Sequence, residues 1–213
     1  MEILKFSLGQ LQANCYFLIQ DNECLIIDPA DEASFILEEL QRRKLKLVGM
    51  LATHGHFDHI MAAGEIQVSL RETSRRDVST LNLNRNDLFL IDRLSDTAKY
   101  FLGYDPQVLA TKNIKYLKEG IFHVSHSAFH VILTPGHTPG SSCFYFKKEK
   151  MIFTGDTLFK QGIGRYDFSY SNKKDLRKSL DKLLKLPEDT IIYPGHGENS
   201  KILDERKAAT LIY

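Results

Sequence analysis

The chain opens on short apolar runs separated by turn residues. Residues 3–7, 15–20 and 24–28 are apolar or β-prone, and Gly9 and Asp21-Asn22 punctuate them, so three strands are predicted. The period then changes. Phe35, Ile36, Leu37 and Leu40 make one stripe at helical spacing, which predicts a helix capped by Asp31 or Ser34 and ending near Arg43. Residues 45–53 read as a strand again. From a helix N-terminus at Asp58, the run Ile60-Met61-Ala62-Ala63 continues helically towards Leu70. In the middle, Leu88, Ile91, Leu94, Ala98, Phe101 and Leu102 fit one amphipathic helix over 88–102. Such a helix usually turns its stripe, here with Phe89 and Phe101, into the domain core. A cover over a substrate or a dimer contact is the competing use of that face.

The second half repeats the opening order. Residues 121–124, 129–134, 142–147 and 151–154 are predicted strands, 175–185 a helix, 190–193 a strand and 200–210 a last helix. Two such halves, packed sheet to sheet with their helices outside, make an α/β fold of four layers, an αββα sandwich. No linker or low-complexity stretch divides the 213 residues, so a single domain over 1–213 is expected.

Composition adds exclusions rather than a function. With 43% hydrophobic and 26% charged residues the chain is an ordinary globular protein. A net charge of +1 leaves no electrostatic footprint for nucleic acid or for an anionic membrane. No apolar run approaches the length of a membrane span, and Met1-Glu2-Ile3-Leu4-Lys5-Phe6 carries charge too early for a signal peptide. The three cysteines, Cys15, Cys24 and Cys143, sit in strand-like apolar runs and read as reduced core thiols. The expectation is a cytoplasmic protein, monomer or homodimer, whose partner is a small molecule.

One stretch departs from this ordinary background. Thr53-His54-Gly55-His56-Phe57-Asp58-His59 follows the apolar run Leu47-Val48-Gly49-Met50-Leu51-Ala52. It concentrates imidazoles and a carboxylate, the ligand types of catalytic zinc, iron and manganese. His54 and His56 are two apart, so in an extended loop they point the same way. Asp58 and His59 come as the chain turns helical and face a second point close by. Three later stretches add to the set: Thr134-Pro135-Gly136-His137-Thr138-Pro139-Gly140, Phe153-Thr154-Gly155-Asp156-Thr157 and Tyr193-Pro194-Gly195-His196-Gly197. Each places a histidine or aspartate beside glycine after a predicted strand, where loop ligands from one sheet edge converge. The pattern points to a two-metal centre and to hydrolysis. His123, His126 and His130 lie in or beside a strand without glycine-rich context and are expected to be ordinary histidines.

The run His54-Gly55-His56-Phe57-Asp58-His59, with the later histidine, aspartate and histidine, resembles the metallo-β-lactamase superfamily over nearly the whole chain. Within it, Gly155-Asp156-Thr157-Leu158-Phe159 and Gly162-Ile163-Gly164-Arg165 resemble the glyoxalase II branch, the hydroxyacylglutathione hydrolases. The resemblance implies the αββα fold. It also implies that His54, His56 and His137 hold one divalent cation, that Asp58, His59 and His196 hold a second, and that Asp156 bridges both. Zinc is the first expectation, with iron or manganese as alternatives. The implied activity is hydrolysis of a small thioester, S-lactoylglutathione or a related acyl-thiol, by a metal-bridging hydroxide. In that scheme Asp156 and Asp58 are catalytic, the latter also orienting the attacking water.

On the substrate side, Arg165 and Tyr166 are the candidates. Arg165 offers a carboxylate a bidentate fork, and an internal ion pair is its competing use. Asp167 stands where the branch commonly has a tyrosine, and it brings a negative charge beside Arg165. The chain runs from His196 only to Tyr213, so it resembles the short, single-domain members that lack a C-terminal helical domain. Gly164-Arg165-Tyr166-Asp167-Phe168 also resembles the persulfide dioxygenases, which would use His54, His137 and Asp156 on one iron. Pro194-Gly195-His196-Gly197 and the glycine-aspartate run at 155–156 resemble the hydrolase instead. A lactonase is a further alternative, because water activated for a thioester also opens a lactone. The near-neutral charge argues against a nuclease, and the full ligand set against an inactive scaffold.

Overall fold

In the computed structural model, which describes residues 1–71 and 80–212, the first half is built on an antiparallel meander of β1 (Glu2–Leu8), β2 (Ala13–Gln20) and β3 (Glu23–Ile27). It continues through α1 (Ala33–Arg42), β4 (Lys46–Leu51), α2 (Phe57–Ile60), α3 (Ala63–Arg71) and β5 (Leu81–Asn84). A 3-10 turn at Arg85–Asp87, α4 (Leu88–Ile91) and α5 (Leu94–Leu102) then lead to β6 (Ile114–Leu117). Strands β3 to β6 are parallel neighbours, which demands a crossover between each pair, and the helices supply those crossovers. The sheet order is β1-β2-β3-β4-β5-β6.

The second sheet begins with the antiparallel run β7 (Gly120–Val124), β8 (Ser127–Leu133), β9 (Ser142–Phe146) and β10 (Met151–Gly155). A small hairpin of β11 (Leu158–Phe159) and β12 (Gly162–Ile163) follows. Helix α6 (Lys173–Leu183) crosses over to β13 (Ile191–Pro194), which lies parallel to β10, and β14 (Ser200–Lys201) and α7 (Ile202–Ile212) complete the order β14-β13-β10-β9-β8-β7.

Alternation along the strands builds three apolar layers. In β2 and β3, Tyr16, Leu18, Leu25 and Ile27 face inward, and in β9 and β10 so do Phe144, Phe146, Met151 and Phe153. These residues form the core between the sheets. The odd-faced neighbours Cys15, Phe17, Cys24 and Ile26 turn outward against Ile36, Leu40, Ile60, Ala63, Ile66 and Leu94 of the first helical layer. Cys143, Tyr145 and Ile152 turn outward against Leu176, Leu180, Leu183 and Ile202 of the second. The result is the αββα sandwich. Helix α6 shows the logic at one element: Asn172 caps it by accepting from the Asp175 N–H, and Leu176, Ser179, Leu180 and Leu183 form its buried stripe. All three cysteines are buried and free. Among the described residues no helix is long and apolar enough to cross a membrane.

Local readings needed correction in places. The helix expected over 88–102 is broken at Asp92 and Arg93, with Leu90, Leu94 and Ala98 as its buried positions. The helical run from Asp58 towards Leu70 is likewise two helices, α2 and α3. Neither Asp31 nor Ser34 caps α1; Glu32 holds the cap position in a left-handed conformation without a side-chain bond. Residues 200–201 form β14, so the last helix starts at Ile202. Strand β5 escaped notice because its asparagines look like loop residues. Both are buried, and Asn82 donates to the Met50 carbonyl at 3.0 Å. Edge strand β6 was hidden by exposed Lys115 and Tyr116.

Candidate metal centre

Four loops meet at one edge of the sandwich. The loop after β4 carries His54 and His56 and runs straight into α2 with Asp58 and His59; the loop before β9 carries His137; Asp156 directly follows β10; and His196 follows β13. Their donor atoms converge. His56 Nδ1 lies 3.0 Å from His54 Nε2 and 3.0 Å from His137 Nε2. His59 Nε2 lies 3.2 Å from His196 Nε2, and Asp58 Oδ2 lies 3.3 Å from His196 Nε2 and 3.6 Å from His59 Nε2. Asp156 stands between these two triads, with Oδ1 3.4 Å from His59 Nε2 and Oδ2 3.6 Å from His137 Nε2. Within each of the groups His54-His56-His137, His54-His59-Asp156 and Asp58-His59-His196, one donor atom per residue lies within 4.8 Å of the others.

The opposite nitrogen of four of the five imidazoles is committed to an acceptor, which assigns their tautomers, and that of His56 meets a hydroxyl. His54 Nδ1–H donates to Thr53 Oγ1 (3.1 Å), whose hydroxyl donates to Asp28 Oδ2 (2.8 Å). His56 Nε2 is hydrogen-bonded to the Tyr170 hydroxyl (2.8 Å), and His59 Nδ1–H donates to Asp28 Oδ2 (3.0 Å). His137 Nδ1–H donates to the Arg165 carbonyl (2.8 Å) and His196 Nδ1–H to the Gln12 carbonyl (3.2 Å). Such outer partners hold ligand rings in place and raise their basicity. The His196 loop is itself stitched to β2, where the Asn14 N–H donates to the Gly195 carbonyl and the Tyr16 hydroxyl to the Pro194 carbonyl.

Electrostatics separates the two triads. Burial, reinforced by neighbouring imidazoles, pushes His54 well below the usual histidine range and His56 to about 3, so both present lone pairs. His59 is fully buried as well, which lowers it, but Asp58, Asp156 and Asp28 outweigh burial and hold it at about 10. His196 is raised too, because Asp58 and Asp156 outweigh its own burial. Burial would raise Asp58, yet His59 and His196 keep it well below the carboxylate range.

This donor set fits cations. His54 Nε2 and His137 Nε2 each turn a lone pair to His56 Nδ1 at 3.0 Å, and that nitrogen has at most one proton to offer the two. Ligands at ~2.0–2.1 Å around a tetrahedral ion are separated by only slightly more, about 3.3 Å. Asp156 Oδ1 is buried without any hydrogen-bond partner, which is costly unless a positive charge meets it. His54, His56 and His137 would hold one ion, Asp58, His59 and His196 the other, with Asp156 reaching both.

Over the donors opens a cleft of about 350 Å³, walled by Leu11, Phe57, Phe101, Phe159, Ile163 and Phe168. Arg165 reaches its rim, where both arms of its fork are taken by Asp167 at 2.9 Å and the guanidinium lies 4.5 Å from the Phe168 ring centroid. Tyr166 is not among the lining residues; Lys173 Nζ sits 5.1 Å from its ring centroid. The tyrosine that does enter the cleft is Tyr170, stacked on Phe168. Phe101 lines the cleft rather than the core, while Phe89 meets Tyr170 edge-on. His123, His126 and His130 fall on β7, its turn and β8, outside the donor groups.

Sequence reasoning missed Asp28, Asp87 and Tyr170. Asp28 left a faint signal, a carboxylate ending the buried run Leu25-Ile26-Ile27 before Pro29. It accepts from the Thr53 N–H at 2.7 Å besides its two side-chain donors. Asp87 and Tyr170 left none, because only the folded chain brings them to the ligand loops.

Known proteins resemble this chain in sequence and fold. The sequence profile of the metallo-beta-lactamase superfamily matches residues 8–196. The hydroxyacylglutathione hydrolase GloC of Haemophilus influenzae is 35% identical over 201 residues, 92% of this chain and 91% of its own. Among solved structures, the BLEG-1 B3 metallo-beta-lactamase is 31% identical with a TM-score of 0.86 over 97% of each chain. The protein TTHA1623 in a di-iron-bound form is also 31% identical, with a TM-score of 0.86 over 96% of this chain and 98% of its own.

Proposed function

The chain belongs to the metallo-β-lactamase superfamily, and from that premise we propose that it is a two-metal hydrolase of a small acyl-thiol, akin to the hydroxyacylglutathione hydrolases. The observation that carries hydrolysis is the pair of complete donor triads with Asp156 between them. Two bound cations supply a water that is nucleophilic near neutral pH and a positive charge for the acyl oxygen. Zinc is the first choice of ion; iron, present in the related TTHA1623 structure, is its competitor.

The chain's own groups favour a thioester. Each ionisable side chain named in the cleft is engaged: the imidazoles and carboxylates in the donor cluster, Arg165 with Asp167, and Tyr170 with His56. Burial pushes the Tyr170 phenol up to about 12, which leaves it a weak acid. A leaving group that departs as an anion suits such a cleft, and a thiolate, with a conjugate acid near ~8.5, does so without a strong general acid. The apolar wall around Phe57, Phe101 and Phe168 excludes water from the acyl group. Asp58, which lines the cleft beside His196, would accept a hydrogen bond from the attacking water.

The test is loss of thioester from S-D-lactoylglutathione by protein reconstituted with zinc, manganese or iron. Turnover with two ions per chain is expected. A two-metal protein that ignores a panel of acyl-thiols but opens lactones or β-lactams would overturn the substrate class. One iron per chain with oxygen uptake on a persulfide would overturn hydrolysis itself.

A further inference from the structure

Asp87 supplies no metal donor, yet it is 0% exposed and sits against the ligand loops. It closes the 3-10 turn after β5. Among the described residues no ion pair holds it, and its partners are all hydrogen-bond donors. Oδ2 accepts from the Gly55 N–H at 2.9 Å and from the Thr138 hydroxyl at 2.7 Å, and Oδ1 accepts from the Gly140 N–H at 2.6 Å. Gly55 lies between His54 and His56, on the loop that follows β4 of the first sheet. Thr138 and Gly140 lie just past His137, on the loop that enters β9 of the second sheet. A single carboxylate therefore ties together the two loops that carry one triad.

The glycines belong to the same contact. A Cβ on Gly55 would lie 2.9 Å from Asp87 Cβ, and one on Gly140 would lie 2.5 Å from Asp87 Cγ. Backbone approaches the carboxylate this closely only where no side chain intervenes. A buried carboxylate without a counter-ion is costly. Its donors come from the ligand loops rather than from the apolar layers, so the geometry of His54, His56 and His137 is what that cost secures.

We propose that Asp87 is a positioning residue for the first cation, fixing the His54–His56 loop against the His137 loop across the two sheets. The proposal rests on the metal-centre reading and is independent of the substrate. Asp87→Asn is the informative change. An amide keeps the shape, but in either orientation its NH2 faces a backbone N–H, Gly55 in one and Gly140 in the other. One loop is then released.

The experiment is titration of the full-length, metal-stripped protein with Co(II), followed by absorption, with Zn(II) affinities from chelator competition. For Asp87→Asn, one of the two sites weakens by about 10- to 100-fold, as outer-partner losses do elsewhere, and its cobalt bands shift. The other site keeps its affinity and bands. A variant with a lower melting temperature but wild-type affinities and spectra would show a merely structural residue and overturn the proposal. Should that variant fail to fold, Thr138→Val removes one donor and keeps both backbone bonds. It is expected to weaken the same site by roughly 2- to 10-fold, the worth of one hydrogen bond, and unchanged cobalt binding there would overturn the proposal. A wild-type chain that takes up no cobalt would sink the metal-centre reading along with it.

Discussion

At the scale of single residues, the cluster divides into donor atoms that face one another, where cations would sit, and the groups that hold those side chains in place. Asp156 touches both triads, so Asp156→Ala is expected to strip both ions and all activity together; two tightly held metals per chain, measured by elemental analysis, would contradict the bridging role. His137 and His130 lie seven positions apart in the sequence but in different worlds. The first is buried in the donor cluster and the second lies on β8 beside Tyr145. His137→Ala should lower kcat/KM at least about 100-fold, the scale of losing a metal ligand's support, and His130→Ala should change it less than about 2-fold. Equal losses would mean the histidines are wrongly sorted. His59 makes a pH prediction. Burial works against its proton, but Asp58, Asp156 and Asp28 raise it from 6.5 to about 10 in the metal-free chain. That proton stabilises the metal-free fold fully below pH 6.5, and the contribution fades as pH rises through about 10. A cation must displace it, so zinc uptake at pH 8 should release protons. Calorimetry in buffers of different ionisation enthalpy checks this, and heats independent of buffer would refute it. The donors were legible in the sequence because each is a histidine or aspartate in a short glycine-flanked stretch. Asp87 and Tyr170 were not, because they act through distant residues and carry no local pattern, and Asp28 shows only as a carboxylate ending a buried run.

At the scale of elements, period decides what could be foreseen. Strands β2, β3, β9 and β10 are apolar on both faces, and helix α6 has a clean stripe, so each announced itself. Leu180→Ala in α6 should cost about 2–5 kcal/mol in chemical denaturation, the usual range for an emptied core site. A cost under ~1 kcal/mol would show that the helix is not held by its stripe. The middle segment was harder, since a stripe compatible with one helix is equally compatible with two that share a buried line through Leu90, Leu94 and Ala98. Its last turn delivers Phe101 to the cleft wall instead of the core, 48% exposed and stacked on Phe57. Phe101→Ala is therefore expected to raise KM several-fold, about the worth of a partly buried ring, while metal content stays at two. Loss of metal in that variant would place Phe101 in the support of the centre rather than the wall. The asparagines of β5 show the converse: polar residues read as loop, yet both are buried, Asn82 bonded to the neighbouring β4 and Asn84 accepting from the Asn86 N–H of the next turn.

At the scale of the whole molecule, the candidate donors come from both sheets, so bound cations would act as clasps across the sandwich. Ligand that binds only the folded state stabilises it by mass action, about 4 kcal/mol at a thousandfold excess over Kd. Stripping the metal should therefore lower the melting temperature, and zinc should restore it; a melting point indifferent to chelation would mean that the donors do not hold ions. What the sequence determined by itself was the alternation of strands and helices, the layered α/β class, and the donor residues with the strands that present them. These follow from local period and residue chemistry, which act over a few positions. Only the tertiary structure decided that these side chains meet, because His56 and His137, eighty-one positions apart, come together across two sheets. It likewise decided that Asp167 occupies the Arg165 fork, that Tyr170 and not Tyr166 enters the cleft, and that Asp87 binds two loops. Those outcomes depend on how surfaces pack after the chain has folded back on itself, and no pattern along a single strand or helix records that.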